Sequence, residues 1–166
     1  MLSILIPTYN NACTPLVQAL LKQAGALDLE VIVAEDGTTD AVALASNRWI
    51  AEMPRCRYLP LKDNHGRAGI RNLLAREAKG DRLLFLDDDV MPAREDFLLS
   101  YYNSTAPVVC GGILAAKGKH PESLRWRWEK GWTEKHPASR RNKHPYDNFT
   151  TANFMARREI MLAHPF

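Results

Sequence analysis

Residues 83–92 read LLFLDDDVMP: four apolar side chains run into three consecutive aspartates and then Val, Met and Pro. Three like charges at the end of an apolar run repel one another unless a cation neutralises them. A hard divalent ion does this through oxygen ligands. Mg2+ or Mn2+ takes one or two carboxylates and keeps its other positions for substrate phosphates. Side chains alternate along extended backbone, so Asp87 and Asp89 form the expected metal pair, with Asp89 the direct ligand. Asp88 then turns the other way, toward a sugar hydroxyl or a backbone amide. The competing reading is an acidic loop in which Asp89 caps the next helix.

Two further polar clusters close apolar runs: Pro7-Thr8-Tyr9-Asn10 and Glu35-Asp36-Gly37-Thr38. No G-x-G-x-x-G follows a strand. The stretch from Gly112 to His120 approximates a phosphate loop, but its glycines are one residue too far apart and His120 stands where Ser or Thr is needed. A glycine cradle for phosphate is therefore missing, which leaves that task to a carboxylate-held metal.

The elements that must position these residues are readable. Apolar runs predict strands over 3–9, 29–36, 56–61, 82–87, 106–116 and 150–156. Helical spacing predicts helices over 14–24 (Thr14 as cap, Pro15 in the first turn), 40–53 (Asp40 as cap), 66–80, 94–102 and from Arg157 onward. Alternating strands and helices with apolar strands throughout predict an α/β fold. It is a Rossmann-like, mostly parallel sheet with helices on both faces, in a single domain. In such sheets ligands bind beyond the carboxyl ends of the strands, where the three polar clusters converge. The expected division is a core over 1–116, a basic Trp-containing excursion over 117–149, and an acceptor-side strand and helix start over 150–166.

The segments SILIPTYN, VIVAEDGTTD, NHGRAGIRN and FLDDDV, in this order and spacing, resemble the nucleotide-sugar-binding half of the family-2 inverting glycosyltransferases, which have a GT-A fold. The resemblance runs from Leu2 to about Pro92 and resumes at TANFMAR, residues 151–157. It implies that Pro7, Thr8 and Tyr9 line the nucleobase and ribose pocket. Asp36 would accept from the uracil N–H, which makes UDP the implied carrier. Glu35 stands where the family usually has the first of two aspartates. Arg71 would approach the nucleotide from its helix, a surface ion pair being the alternative, while Asn64 and Gly66 shape the loop before it. Asp87 to Asp89 match the D-x-D segment that carries metal and ribose, and Thr151 and Asn153 fall on the acceptor side.

The implied reaction has a metal-stabilised diphosphate leaving group, an oxocarbenium-like transition state and attack by an acceptor hydroxyl with inversion. The acceptor would be a glycan or lipid-linked glycan. The family's general base lies in a Glu-Asp pair after the acceptor-side strand. Glu95-Asp96 comes too early, and Asp147 and Glu159 are weak substitutes. The resemblance thus implies a base beyond Phe166 and an N-terminal portion of a longer transferase, with possible membrane association through the remainder.

The bulk numbers agree with this reading. The chain has 166 residues, 46% hydrophobic and 25% charged, with a formal net charge of +3. Residues 117–144 hold nine Lys/Arg against three Glu, leaving thirteen against sixteen elsewhere. The basic segment lacks the density of a nucleic-acid arm. Cys13, Cys56 and Cys110 form no C-x-x-C, so free thiols are expected. No apolar run approaches the ~20 residues of a membrane span. With no signal-peptide pattern, a cytoplasmic protein, or the cytosolic face of a membrane, is expected. Trp126, Trp128 and Trp132 with Arg125 and Arg127 suit either sugar stacking and diphosphate pairing or packing. His120, His136 and His144 match no metal spacing. Two alternatives remain at this point: a nucleotide-sugar-binding module without transfer, and a haloacid-dehalogenase-type phosphatase. The latter is weakened by Met91 at its Thr/Val position.

Overall fold

A computed structural model describes residues 1–115 and 123–166. Six strands form one sheet in the order β3-β2-β1-β4-β6-β5. The strands are β1 (Leu2–Thr8), β2 (Leu29–Asp36), β3 (Cys56–Leu61), β4 (Arg82–Leu86), β5 (Val108–Cys110) and β6 (Asn153–Arg157). The first four are mutually parallel, while β6 runs antiparallel to both β4 and β5. Five strands therefore point one way, as a mostly parallel sheet requires.

Alternation along the central strands sorts their side chains into two cores. Leu2, Ile4 and Ile6 pack with Leu16, Val17 and Leu20 of α1 (Thr14–Ala24) and with Leu98 and Tyr101 of α4 (Phe97–Tyr102). On the opposite face Leu5, Ile32 and Phe85 meet Ile70, Leu74 and Ala75 of α3 (Gly66–Glu77) and Met161 of α7 (Arg158–Ala163). Phe85 and Phe154 stack with centroids 4.8 Å apart, tying β4 to β6. Such pairs add about 0.5–1.5 kcal/mol beyond their burial.

Several boundaries differ from expectation. Thr14 does not cap α1: Cys13 holds that position without a side-chain bond, and the Thr14 hydroxyl donates to the Ser46 carbonyl instead. Asp40 does cap α2 (Ala41–Arg48), accepting from Val42 N and Ala43 N, but the helix gives way to a 3-10 turn over Trp49–Glu52. α3 ends at Glu77 rather than at 80, and the helix predicted from 94 begins at Phe97. The strand predicted over 106–116 shrinks to β5. Its ladder stops at Gly111, whose carbonyl takes the Arg141 guanidinium (2.5 Å). Residues 116–122 lie outside the described residues, and with them His120 and the second half of the phosphate-loop-like stretch. The excursion carries α5 (Leu124–Lys135) and α6 (Ala138–Lys143), neither with a buried residue. The cysteines are free, and among the described residues no helix is long and apolar enough to cross a membrane.

Candidate active site

The carboxyl ends of β1, β2 and β4 face one edge of the sheet, and the acidic turn after β4 is bound from two sides. On the β1 side the Thr8 hydroxyl donates to Asp88 Oδ2 (2.7 Å), with the Asn11 carbonyl (3.0 Å) as its alternative acceptor. Tyr9 N reaches the same Asp88 oxygen at 3.4 Å. Asp88 thus meets a backbone amide, one of the partners expected for it. On the α3 side Arg71 pairs with Asp87 Oδ1, and Arg67 lies 3.8 Å from Asp87 Oδ2. Asp87 and Asp88 therefore diverge. The strand ends at Leu86, however, and Asp88-Asp89 occupy a turn, so simple alternation does not extend to Asp89.

Arg71 is not the surface ion pair weighed above. It is 5% exposed, and its Nη1 donates to the Arg67 carbonyl at 2.9 Å. Burial pushes the Asp87 carboxyl up from its ordinary value. Arg71 and Arg67 pull it back down, and Asp89 raises it again. Asp89 is exposed and makes no hydrogen bond or ion pair among the described residues. It does not cap the following helix, since Asp96 precedes α4.

The donor set can be tested for a divalent ion. Both Asp87 oxygens face arginines, whereas the Asp89 carboxylate makes no hydrogen bond or ion pair among the described residues. Among the described residues no group of three or more His, Cys, Asp or Glu is placed to hold a metal. One or two carboxylates completed by phosphate oxygens is the pattern Mg2+ and Mn2+ use, and these residues fit it. Asp89 would be the protein ligand, with Asp87 second if Arg71 yields.

At the end of β2, Asp36 is 4% exposed. Its Oδ1 accepts from His65 N (2.7 Å), and its carbonyl accepts from Asn64 Nδ2 (2.9 Å). Its second carboxylate oxygen has no partner among the described residues. Gly37 permits this close approach: its φ is +71°, and a Cβ there would stand 2.7 Å from Asn64 N. Pro7 is half-buried on β1, and the Tyr9 ring, 51% exposed, stands free at the rim.

The turn before β6 abuts the same acidic turn, because Asp87 N donates to the Ala152 carbonyl (3.0 Å). Thr151 lies half-buried in the turn before β6. Asn153 turns inward: its Oδ1 accepts from Tyr101 OH (2.6 Å) and its Nδ2 donates to the Gly112 carbonyl (3.0 Å). Of the two substitute carboxylates, Glu159 sits just beyond β6 at the far edge of the sheet. There Arg157 pairs with Arg82, four residues of strand from Leu86, on the order of 13 Å. Asp147 is exposed and 3.9 Å from His144. Sequence reasoning placed Asn10 in a polar cluster at the strand end without giving it a role, and missed Asn11 and Arg67. Asn10 has a φ of +54°, and its Oδ1 accepts from Thr39 N and Asp40 N, stapling the β1 loop to the β2 loop. An Asn pair straight after a strand, tolerant of left-handed backbone, was the available signal.

Sheet order and site together define a GT-A glycosyltransferase domain. The match to the family model "Glycosyl transferase family 2" covers residues 3–162, and the chain belongs to that family. It is 33% identical over 115 residues to an uncharacterized glycosyltransferase, YfnE, of Bacillus subtilis, covering 66% of this chain and 29% of that protein. Among solved structures, the mannosyltransferase PcManGT of Pyrobaculum calidifontis, in complex with GDP-Man and Mn2+, superposes with a TM-score of 0.70 at 20% identity. That match covers 99% of this chain and 47% of that one. S. aureus TarS 1-349 in complex with UDP-GlcNAc gives 0.59 at 24% identity, covering 71% and 36%. The chain thus spans less than a third of its curated relative. Family membership, and the position of the aspartates on the fourth strand rather than the first, leave the phosphatase reading without support.

Proposed function

We propose that this chain is the donor-binding portion of an inverting glycosyltransferase. It takes a nucleotide-diphosphate sugar, with UDP as the carrier, and the whole protein passes the sugar to a hydroxyl of a glycan or lipid-linked glycan acceptor. Mn2+ or Mg2+ assists. The observation that carries the reading is the acidic turn after β4, gripped by Thr8 and Tyr9 on one side and by Arg71 on the other. One short segment thereby touches the nucleoside-side residues and the phosphate-side residues at once.

Each residue has a definable task. Tyr9 offers a ring face to the base, and Asp36 offers an acceptor-only oxygen to an imide N–H, which suits uracil. Asp88, oriented by Thr8, faces the ribose. Arg71 supplies fixed positive charge where a diphosphate would lie. Asp89 would hold a divalent metal, which would supply Lewis-acid stabilisation of the departing diphosphate. The Ala152 turn, bonded to Asp87, sets the acceptor side against the donor side. The complexes of TarS with UDP-GlcNAc and of PcManGT with GDP-Man and Mn2+ lend support to a nucleotide-sugar donor and a divalent metal.

Calorimetric titration with UDP and with GDP, each with and without Mn2+, tests the reading. UDP binding that strengthens with Mn2+ is expected. Absence of binding by either nucleotide would overturn it, and a preference for GDP would overturn the uracil assignment.

A further inference from the structure

α2 turns only two residues inward, Ala43 and Asn47, one helical turn apart. Asn47 is fully buried. An amide in a core position is costly unless every polar atom is paired. Here it is: Nδ2 donates to the Asn11 carbonyl (2.9 Å) and to Glu35 Oε2 (3.0 Å), while Oδ1 accepts from Cys13 N (2.9 Å). The orientation of the amide follows from its partners, because Cys13 N can only donate and the carbonyl and carboxylate can only accept. Glu35 is 1% exposed and is held in turn by Tyr58 OH (2.6 Å). It therefore serves as an anchor behind the site rather than as a ligand in it.

Two of the three strong Asn47 bonds end on the loop between β1 and α1. That loop makes the last link to the site, since Asn11 Nδ2 donates to the Asp88 carbonyl (3.2 Å). The Asn11 carbonyl is also the alternative acceptor for Thr8. A hydrogen-bonded chain, buried at Glu35 and Asn47 and half-buried at its ends, thus runs from Tyr58 and Glu35 through Asn47 and Asn11 to Asp88. We infer that Asn47 is a positioning residue of the donor pocket, which sets the ribose-facing pair Thr8 and Asp88 through Asn11. The inference rests on the donor-site reading above.

The test uses the 166-residue chain, UDP as the probe with and without Mn2+, and temperatures well below each variant's midpoint. Asn47→Ala and Asn11→Ala are expected to weaken UDP binding by about tenfold or more, the scale of a small misplacement of contact groups. The loss should be the same factor with and without Mn2+, because the damage lies on the nucleoside half. The two act in series, so the double variant should lose no more than the worse single. Ile50→Val, a core truncation beside α2, should lower the thermal midpoint while keeping affinity within about twofold. If Asn47→Ala does not fold, Asn11→Ala alone decides. UDP affinity unchanged in Asn11→Ala, or additive losses in the double variant, would overturn the inference. A parent chain that binds no nucleotide would instead overturn the donor-site reading, so the two failures are distinguishable.

Discussion

Asp87 and Asp89 carry the same functional group in opposite settings, and their substitutions should behave differently. Asp89 is exposed and unpaired among the described residues, so Asp89→Asn should remove the Mn2+ enhancement of UDP binding and leave the thermal midpoint unchanged. Asp87 is tied to Arg71 and Arg67, so Asp87→Asn leaves Arg71 without its carboxylate partner and should weaken UDP binding with or without Mn2+. The acidity of Asp87 is lowered by burial, meaning its pKa is raised. As pH falls it takes up a proton before an ordinary aspartate does, and Mn2+-dependent affinity should decline with it. The sign for stability is reversed. A raised native value favours the protonated folded form, so the Asp87 contribution grows on acidification and fades as pH rises through that value. Comparing the pH dependence of parent and Asp87→Asn, by titration and by denaturation, separates the two. Cys13 is governed by the same rule: burial, then Asp88 and Glu35, push its thiol up to about 12. Alkylation at about pH 8 followed by mass spectrometry should therefore leave Cys13 unmodified until the chain is unfolded.

At the scale of elements, Asp40→Ala removes the acceptor for Val42 N and Ala43 N and should cost about 1 kcal/mol in chemical denaturation. Gly37→Ala should cost more, because the added Cβ meets Asn64 backbone at 2.7 Å and φ is +71°. It should also weaken UDP binding by shifting the Asn64-His65 segment that holds Asp36. The two predicted caps show what was readable and what was not. Asp40 follows a glycine-containing turn and precedes a helical pattern, and a local rule suffices. Thr14 satisfied the same rule, but the Ser46 carbonyl on a neighbouring element won its hydroxyl. The site divides in the same way. Thr8, Asp36, Asp87 and Asp88 lie at one edge of the sheet, a placement that strand ends and residue type made readable. Asn47 was hidden, since nothing in a short helix with five Ala, Val or Leu residues says that the amide rather than one of them faces inward. Arg67 and Arg71 sit on one helix face, but which of them lies buried against Asp87 depends on how α3 seats on the sheet.

The whole molecule adds what local pattern cannot hold. Apolar runs tell how many strands there are, but not that β6 enters between β4 and β5 with reversed direction. That placement brings Ala152 to Asp87 and Asn153 to Gly111, joining the two halves of the site through backbone. The excursion leaves and returns at neighbouring points, for Thr150 N lies 3.4 Å from Cys110 Sγ, and its helices bury no residue. Replacing residues 113–149 by a short Gly/Ser linker should therefore retain the sheet and UDP affinity, measured by thermal denaturation and titration.

Because Arg71 already sits against Asp87 and Thr8 against Asp88, the acidic rim already holds two of its three carboxylates in place. It can wait fully assembled for cargo. Loading is then an exchange of one partner for another rather than a disorder-to-order event, and its heat-capacity change should be small, that of a rigid cleft losing little apolar surface to its guest.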